Sequence, residues 1–407
     1  MSKEVESFLR GKNKTVILPT IGSFVVFFVF GFIDNLKGPT IPAILSDLGL
    51  NYRQGGTVLF SEYIGFLIAT LSMGVLSVLF GKKKVIFAAG IFLALGIAAY
   101  SSASRLLFLS IFMAFIGFGL GSCEVGGNLI IVDLYSSQKA KYLNIMEFFH
   151  GIGSILAPVY SGQLLAAAVS WRQVYRLALL LPLALLIYFL LVKVPKKHQG
   201  QENSPINIRR IGASAIVGDT ILFYLFILLY VAAELGVASW LVEFLQTDRG
   251  MSVSASSLLL SAFFVAITVG RLAGSFVVER IGYLRIMKYV SILSAAFLAI
   301  GIFAPAPFVY FLPATGFLFS IVFPTATAAV SVKHPEHTGV ILGIFFAFAG
   351  IGGMVGSYFV GLIGELTTIK WGFSFNILLC VLMFVVLLVL ELVYRIRERK
   401  GNAVSLN

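Results

Sequence analysis

Charge is what this 407-residue chain has least of. Asp, Glu, Lys and Arg make up 12% of it, about half of the roughly 25% usual in soluble proteins. So small a load does not cover a water-facing surface, which excludes a soluble enzyme, a nucleic-acid-binding domain and a disordered chain. Cysteine is almost as scarce. Cys123 and Cys380 both lie in apolar runs, so neither a disulfide framework nor a thiolate metal site is indicated. No GxxxxGK[ST] segment occurs, and no polar stretch is long enough for a nucleotide-binding domain, which speaks against an ATP-driven pump. No metal or cofactor is expected. The opening MSKEVESFLRGKNK is polar, and the first apolar run is full length without a small-residue cleavage site, so no removable signal is expected.

What the chain does have is apolar sequence: 59% hydrophobic residues and 38 Phe, with a mean hydropathy of +0.98. A membrane-crossing helix needs about 20 such residues. Twelve stretches qualify, near 16–37, 55–80, 84–102, 106–132, 142–168, 173–193, 213–242, 254–278, 286–304, 307–331, 338–364 and 371–394. The largest polar break, PKKHQGQENSPINIRR, divides them six and six. The expected fold is therefore an all-α membrane protein. Residues 1–194 and 213–407 form six-helix bundles, and 195–212 form a cytoplasmic linker. The net charge of +12 sits in short clusters between apolar runs, the layout of membrane loops rather than of a nucleic-acid face. With the N-terminus inside, twenty-two of the thirty Lys and Arg fall on the inner side and six on the outer, leaving Lys37 and Arg271 within helices. Both termini are thus expected to be cytoplasmic, in a multi-pass inner-membrane protein.

The halves resemble each other at an offset of about 200 residues. Leu143, Ile145, Gly151, Ile152, Gly153 and Gly162 match Leu342, Ile344, Gly350, Ile351, Gly352 and Gly361. Gly81 falls on Gly282, and Asp34 on Glu234. Two such bundles in parallel orientation describe a transporter that rocks about a central site. The loops after the second and eighth stretches resemble the cytoplasmic signature of the major facilitator superfamily: glycine, an acid–Arg pair, glycine, then basic residues. The second copy keeps Glu279, Arg280 and Gly282. The first keeps Gly74, Gly81 and Lys82 to Lys84, with Val78 and Leu79 where the charged pair belongs. Glu279 and Arg280, with Arg271, are the gating candidates, against the plainer reading that they anchor helix ends.

An ionisable side chain in mid-helix costs about 2.5–3.5 kcal/mol on insertion scales, so each needs a reason. Asp133, Asp219 and Glu243 lie near stretch ends, where solvated headgroups explain them. Glu62, beside Tyr63, lines or faces an outer vestibule. Glu124 stands deep in GFGLGSCEVGGNLIIVDL among Gly119, Gly121, Gly126 and Gly127, with Asn128 one turn on. A carboxyl so desolvated takes and loses a proton readily, as proton coupling requires. Glu147 and His150 in NIMEFFHGIGS share a face and either relay a proton or neutralise each other. Asp34 and Asn35 precede Lys37 and Gly38–Pro39, where a kink is expected. Asp34 either meets the ligand or pairs with Lys37. Glu234 and Trp240 in YVAAELGVASWLVEFL suit a polyhydroxylated ligand, with acids for hydroxyls and a ring for a C–H face. Arg271 keeps its proton and needs an acid, with Glu124 and Glu234 as the candidates.

These residues also resemble one branch of the superfamily, the fucose–galactose–glucose:proton symporters. The likeness lies in GLGSCEVGGN, LNIMEFFHGIGSILA, YVAAELGVASW, Gly270–Arg271 and Phe323–Pro324–Thr325, and runs along most of the chain. Here Glu147 and Glu234 stand where that family has amides, and His150 where it has Asn. The resemblance implies an acid in the fourth helix and one in the first as the proton-linked and binding pair. Glu124 fits the former. The family's first-helix acid falls here on Gly38, and Asp34 lies one turn earlier on the same face. The implied activity is proton-coupled uptake of a monosaccharide or similar polar solute, by a monomer in the lipid bilayer. Glu124, Asp34, Glu147 and His150 would be proton-linked. Asp34, Asn35, Asn128, Glu147, His150, Glu234 and Trp240 would line the site. Na⁺ coupling, proton-driven export of an amphiphilic or cationic compound, and sensing without flux remain as alternatives.

Overall fold

Inside hydrocarbon a backbone has no water to bond to, so each crossing closes its hydrogen bonds within a helix. The computed structural model describes residues 14–135, 138–194, 218–333 and 338–399, so the expected linker at 195–212 lies outside the described residues. The helices are α1 (Lys14–Asp34), α2 (Lys37–Leu48), α3 (Tyr52–Phe80), α4 (Lys82–Tyr100), α5 (Leu106–Leu134), α6 (Lys139–Ala166), α7 (Trp171–Ala178) and α8 (Leu180–Leu191). They continue with α9 (Gly218–Thr247), α10 (Val253–Ile281), α11 (Tyr283–Phe303), α12 (Phe311–Phe319), α13 (Val322–Lys333), α14 (Thr338–Leu366) and α15 (Ile369–Arg399). Among the described residues, eleven segments are long and apolar enough to cross a membrane. The remaining expected stretch is α6. Its 28 residues suffice in length, but Asn144, Glu147, His150 and Gln163 make it more polar.

Three crossings are interrupted: at Asn35–Leu36 between α1 and α2, at Leu179 between α7 and α8, and at Ser320–Ile321 between α12 and α13. In each case proline is the third residue of the second helix, as Pro39, Pro182 and Pro324. A proline ring inside a helix clashes with the carbonyl four residues back. Those carbonyls belong to Asn35, Ala178 and Ser320, at or beside each interruption, so breaking the helix there removes the clash. The kink expected at Gly38–Pro39 therefore falls three residues earlier.

The chain divides into two compact units. One takes the described residues of Met1–Leu36 and Ser61–Asn203, the other those of Lys37–Phe60 and Ser204–Asn407. In the first unit α6 lies against α1 with backbones nearly touching. A Cβ at Gly153 would overlap the Phe28 carbonyl, and one at Gly31 the His150 carbonyl. Likewise α3 meets α5 where a Cβ at Gly117 would overlap the Glu62 carbonyl, and one at Gly65 that of Ala114. Glu62, only 1% exposed, is buried in this packing and does not line a vestibule. Tyr100 packs edge-on to Trp171 and Tyr175, at centroid distances of 5.7 and 5.0 Å.

The second unit repeats the scheme. A Cβ at Gly352 of α14 would overlap the Leu228 carbonyl of α9, and one at Gly356 that of Ala232. Gly153 and Gly352, matched in the sequence repeat, thus do the same work in their own units. Gly81 (φ 89°, ψ 150°) and Gly282 (φ 91°, ψ 145°), also matched, each form a one-residue connection in a conformation that glycine adopts without strain. Helix α9 is the centre of this unit, with Phe223, Phe226, Tyr230, Trp240 and Phe244 fully buried.

Acids expected among headgroups are instead held by protein. Asp219 is fully buried and pairs with Lys333, whose ammonium also donates to Tyr394 Oη at 2.6 Å. Asp133 pairs with Lys82. Glu243, 6% exposed, accepts from Tyr52 and Thr247. A fixed protein partner takes the place of headgroup solvation at each, most completely at the fully buried Asp219 and least at Asp133, whose side chain is 25% exposed.

Gly117→Ala should cost about 1–3 kcal/mol, because the added carbon drives α3 from α5. Gly74→Ala, where a Cβ meets nothing within 4 Å, should be neutral or stabilising. Thermal melting of the two variants in detergent, followed by gel filtration, checks the contrast.

Candidate functional site

In the first unit the polar residues come from three helices. Glu124 and Asn128 project from α5 at i,i+4 spacing, both half-buried. The glycines around them are filled by neighbours. Gly119 lies on Leu93, Gly121 on Phe66 and Ala69, Gly126 on Ile86, and Gly127 on the Phe27 ring. The glycine-rich run therefore seats α5 against α1, α3 and α4. Helix α1 brings Asp34, half-buried, and α6 brings Glu147, exposed. Both carboxylates lie within electrostatic reach of Glu124. His150, one turn from Glu147, is set edge-on to Phe30 at 4.6 Å. Phe24 and Phe149 stack beside them at 5.1 Å. The structure thus brings Asp34, Glu124 and Glu147 into one acidic group bordered by His150 and aromatic rings.

Asn35 has a different task. It is 5% exposed, and its amide donates to the Gly31 carbonyl (2.8 Å) and to Ser154 Oγ (3.0 Å). One donor is spent on α1 itself and the other joins α1 to α6 at the helix break, which leaves none for a ligand. Trp240, likewise expected in the lining, is fully buried, and its indole donates to the Ser357 carbonyl at 2.9 Å. Its ring plane is occupied by protein: Gly55 and Gly361 lie against the indole, and Tyr52 is edge-on at 6.0 Å.

In the second unit the charged interior centres on Tyr230. This tyrosine is 1% exposed, and its hydroxyl donates to the Phe319 carbonyl at 2.9 Å, at the α12–α13 break. Glu234, one turn along α9, is within hydrogen-bonding reach of the same hydroxyl, and Arg271 of α10 is within electrostatic reach. Arg271 and Glu234, weighed as partners from sequence, therefore converge on one buried phenol. Sequence reasoning passed over Tyr230, although its i,i+4 spacing from Glu234 was a usable signal. The close α10–α12 approach that sets Arg271 here relies on Gly270, where a Cβ would overlap Ser320 Oγ.

Of the gating candidates, Arg280 is exposed, and the side chain of Glu279 lies outside the described residues. Val78 and Leu79, in place of the charged pair of the first copy, are 66% and 69% exposed, as lipid-facing side chains would be. Among the described residues, no group of three His, Cys, Asp or Glu has the arrangement to hold a metal ion. Cys123 and Cys380 are buried free thiols.

Membrane-length helices in two units of like internal packing, each with charged side chains held inside, define a multi-pass membrane protein. The family model of the Major Facilitator Superfamily matches residues 23–346 and 223–405, and the chain belongs to that superfamily. It is 25% identical over 369 residues to a glucose/galactose transporter of Brucella abortus, covering 87% of this chain and 89% of that one. It is also 24% identical over 405 residues to bypass of stop codon protein 6 of Saccharomyces cerevisiae, covering 88% and 79%. Among solved structures, the nucleoside transporter NupG superposes with a TM-score of 0.76 at 17% identity, covering 93% of this chain and 99% of that one. The E. coli fucose:proton symporter FucP, as a variant, superposes with a TM-score of 0.62 at 19% identity, covering 92% and 99%. These two structures share the fold.

Tyr230→Phe should cost about 1–3 kcal/mol, since it deprives a buried carbonyl at the helix break of its donor. A lowered melting temperature with unchanged elution in gel filtration is the expected result. An unchanged melting temperature would show that the Phe319 carbonyl finds another partner.

Proposed function

We propose that this protein is a secondary active transporter of the inner cell membrane that works by alternating access and takes up a monosaccharide or similar polar solute with protons. The observation that carries the reading is the Asp34–Glu124–Glu147 group, in which carboxyls from two other helices lie within electrostatic reach of Glu124. Like charges in apolar surroundings cannot all be held bare, so at least one such group exchanges a proton as its surroundings change. Glu124 has the central place and is the proton carrier. Asp34 faces it, and His150 passes protons or donates to a hydroxyl.

Asn128, Glu147 and His150 supply hydrogen bonds in the first unit, and Glu234 in the second. Carboxylates and amides satisfy several hydroxyls at once, while the Phe30 ring edge and its neighbours offer apolar contact to C–H faces. Arg271, with Glu234 and Tyr230, keeps a charge balanced in the second unit, and it adds to gating with Glu279 and Arg280 at the end of α10. The names of the Brucella glucose/galactose transporter and of the fucose:proton symporter support a sugar.

The test is uptake of labelled fucose, galactose, glucose and mannose into proteoliposomes under an inward proton gradient, an inward Na⁺ gradient, or neither. With a gradient of one pH unit and one proton per sugar, accumulation should approach about ten-fold. Glu124→Gln should abolish accumulation while leaving exchange of sugar across the membrane. Accumulation driven by Na⁺ alone would move the coupling role to a cation held near Asp34. Absence of flux for every sugar would sink the substrate assignment.

A further inference from the structure

Asp34 is the last residue of α1, and Asn35–Leu36 make the break that follows it. A carboxyl at a helix end has the hydrogen-bond ladder on one side only, so its direction depends on what fastens the next residue. Here that residue is tied to α6. The Asn35 amide donates to the Gly31 carbonyl at 2.8 Å and to Ser154 Oγ at 3.0 Å, and the Ser154 hydroxyl donates in turn to the His150 carbonyl at 3.0 Å. Asn35 and Ser154 are 5% and 2% exposed, so water does not compete for these bonds. Gly31 lies against the same His150 carbonyl, which a Cβ there would overlap. Phe30, at i,i+4 spacing from Asp34, meets the His150 ring edge-on at 4.6 Å. A buried chain of hydrogen bonds therefore runs from the neighbour of Asp34 to the backbone of His150.

The second unit makes the same helix contact without this link. Gly153 lies on the Phe28 carbonyl of α1, and Gly352 lies on the Leu228 carbonyl of α9, matched positions at offsets of 199 and 200. At those offsets Asn35 falls on Leu235 and Ser154 on Gly353, neither of which has a polar side chain. Helix α9 also runs unbroken from Gly218 to Thr247. Asp34 falls on Glu234, but Glu124, Glu147 and His150 fall on Phe323, Phe346 and Ala349. The link is thus present where three acids and a histidine gather, and absent where one acid stands, although both units pack through the same glycine. Packing alone does not call for it. We infer that Asn35 and Ser154 are positioning residues for proton coupling, and that their hydrogen bond holds the carboxyl of Asp34 in register with the His150 turn of α6. The inference rests on the proton-coupled reading above, and neither side chain takes the proton itself. With the bond removed, the break lets Asp34 turn, so the solute still exchanges but its passage is no longer tied to a proton.

The experiment breaks the bond from either end, with Ser154→Ala and Asn35→Leu, in the full-length chain in proteoliposomes, so either variant serves if the other does not fold. Accumulation of the four labelled sugars under an inward gradient of one pH unit, and their exchange without a gradient, are measured per folded copy. Accumulation should fall from about ten-fold toward one, while exchange is retained. The double variant should lose no more than either single one, because the same bond is missing in all three. Ser154→Thr, which keeps the hydroxyl, should accumulate sugar as the native chain does. Accumulation unchanged in both variants, or exchange falling in step with accumulation, would overturn the positioning role. A second measurement needs no sugar. With isotope-labelled histidine in liposomes, the ring-nitrogen resonances of His150 are identified by their loss in His150→Gln. Ser154→Ala and Asn35→Leu should move them by the same shift, and Ser154→Thr should restore them. If the native chain carries no sugar, the sugar assignment falls and these resonances decide alone. Resonances unmoved in both folded variants remove the positioning role, whatever the flux.

Discussion

Helices surrounded by hydrocarbon gain little from hiding apolar side chains, since lipid tails are as apolar as leucine. What holds this chain together is therefore close approach of backbones, made where a side chain is missing. Gly31 and Gly153 join α1 to α6, Gly65 and Gly117 join α3 to α5, and Gly352 and Gly356 join α14 to α9. At these distances dispersion and weak C–H contacts act along whole helix turns. The same contacts fix how each helix is rotated, and so decide which face of α5 presents Glu124 and which face of α6 presents Glu147 and His150.

Against that close packing stand three interruptions, each three residues ahead of a proline. They are not faults in the helices. Breaking the hydrogen-bond ladder frees main-chain groups, and the molecule uses them. Asn35 bridges the first break to Ser154, and Tyr230 answers the carbonyl at the third. The interrupted helices carry or adjoin Asp34, Glu234 and Arg271. Polar side chains that hold the breaks thus lie beside the charged residues of each unit's interior.

Much of this was legible in the sequence, because apolar length and the count of charges leave little choice of architecture. The repeat was legible too, down to Gly153 with Gly352 and Gly81 with Gly282, since glycine at a contact or a positive φ has few substitutes. The convergence on Glu124 could be read only in part. Its glycines were visible, but that they seat neighbouring helices depends on rotation, which no local pattern states. Asn35 and Trp240 looked like ligand groups because amides and indoles serve both purposes, and only their partners, Ser154 and Ser357, show that packing claims them. The hydrogen bonds of Tyr52 left no trace, since Glu243 and Glu365 are far away along the chain.

Helix α6 carries a consequence for biogenesis. It holds Glu147 and His150, and among the described residues it is the one expected crossing that is not apolar enough to qualify on its own. A translocon weighs each segment by its own partition into lipid, and one ionised residue at the centre costs about 2.5–3.5 kcal/mol there. The helix that carries Glu147 and His150 is thus the one least able to enter the bilayer unaided. Its insertion has to draw on helices already in place, of which α1, meeting it through Gly31 and Gly153, is synthesised first. Assembly order and the placement of Glu147 and His150 are tied together through the same two glycines.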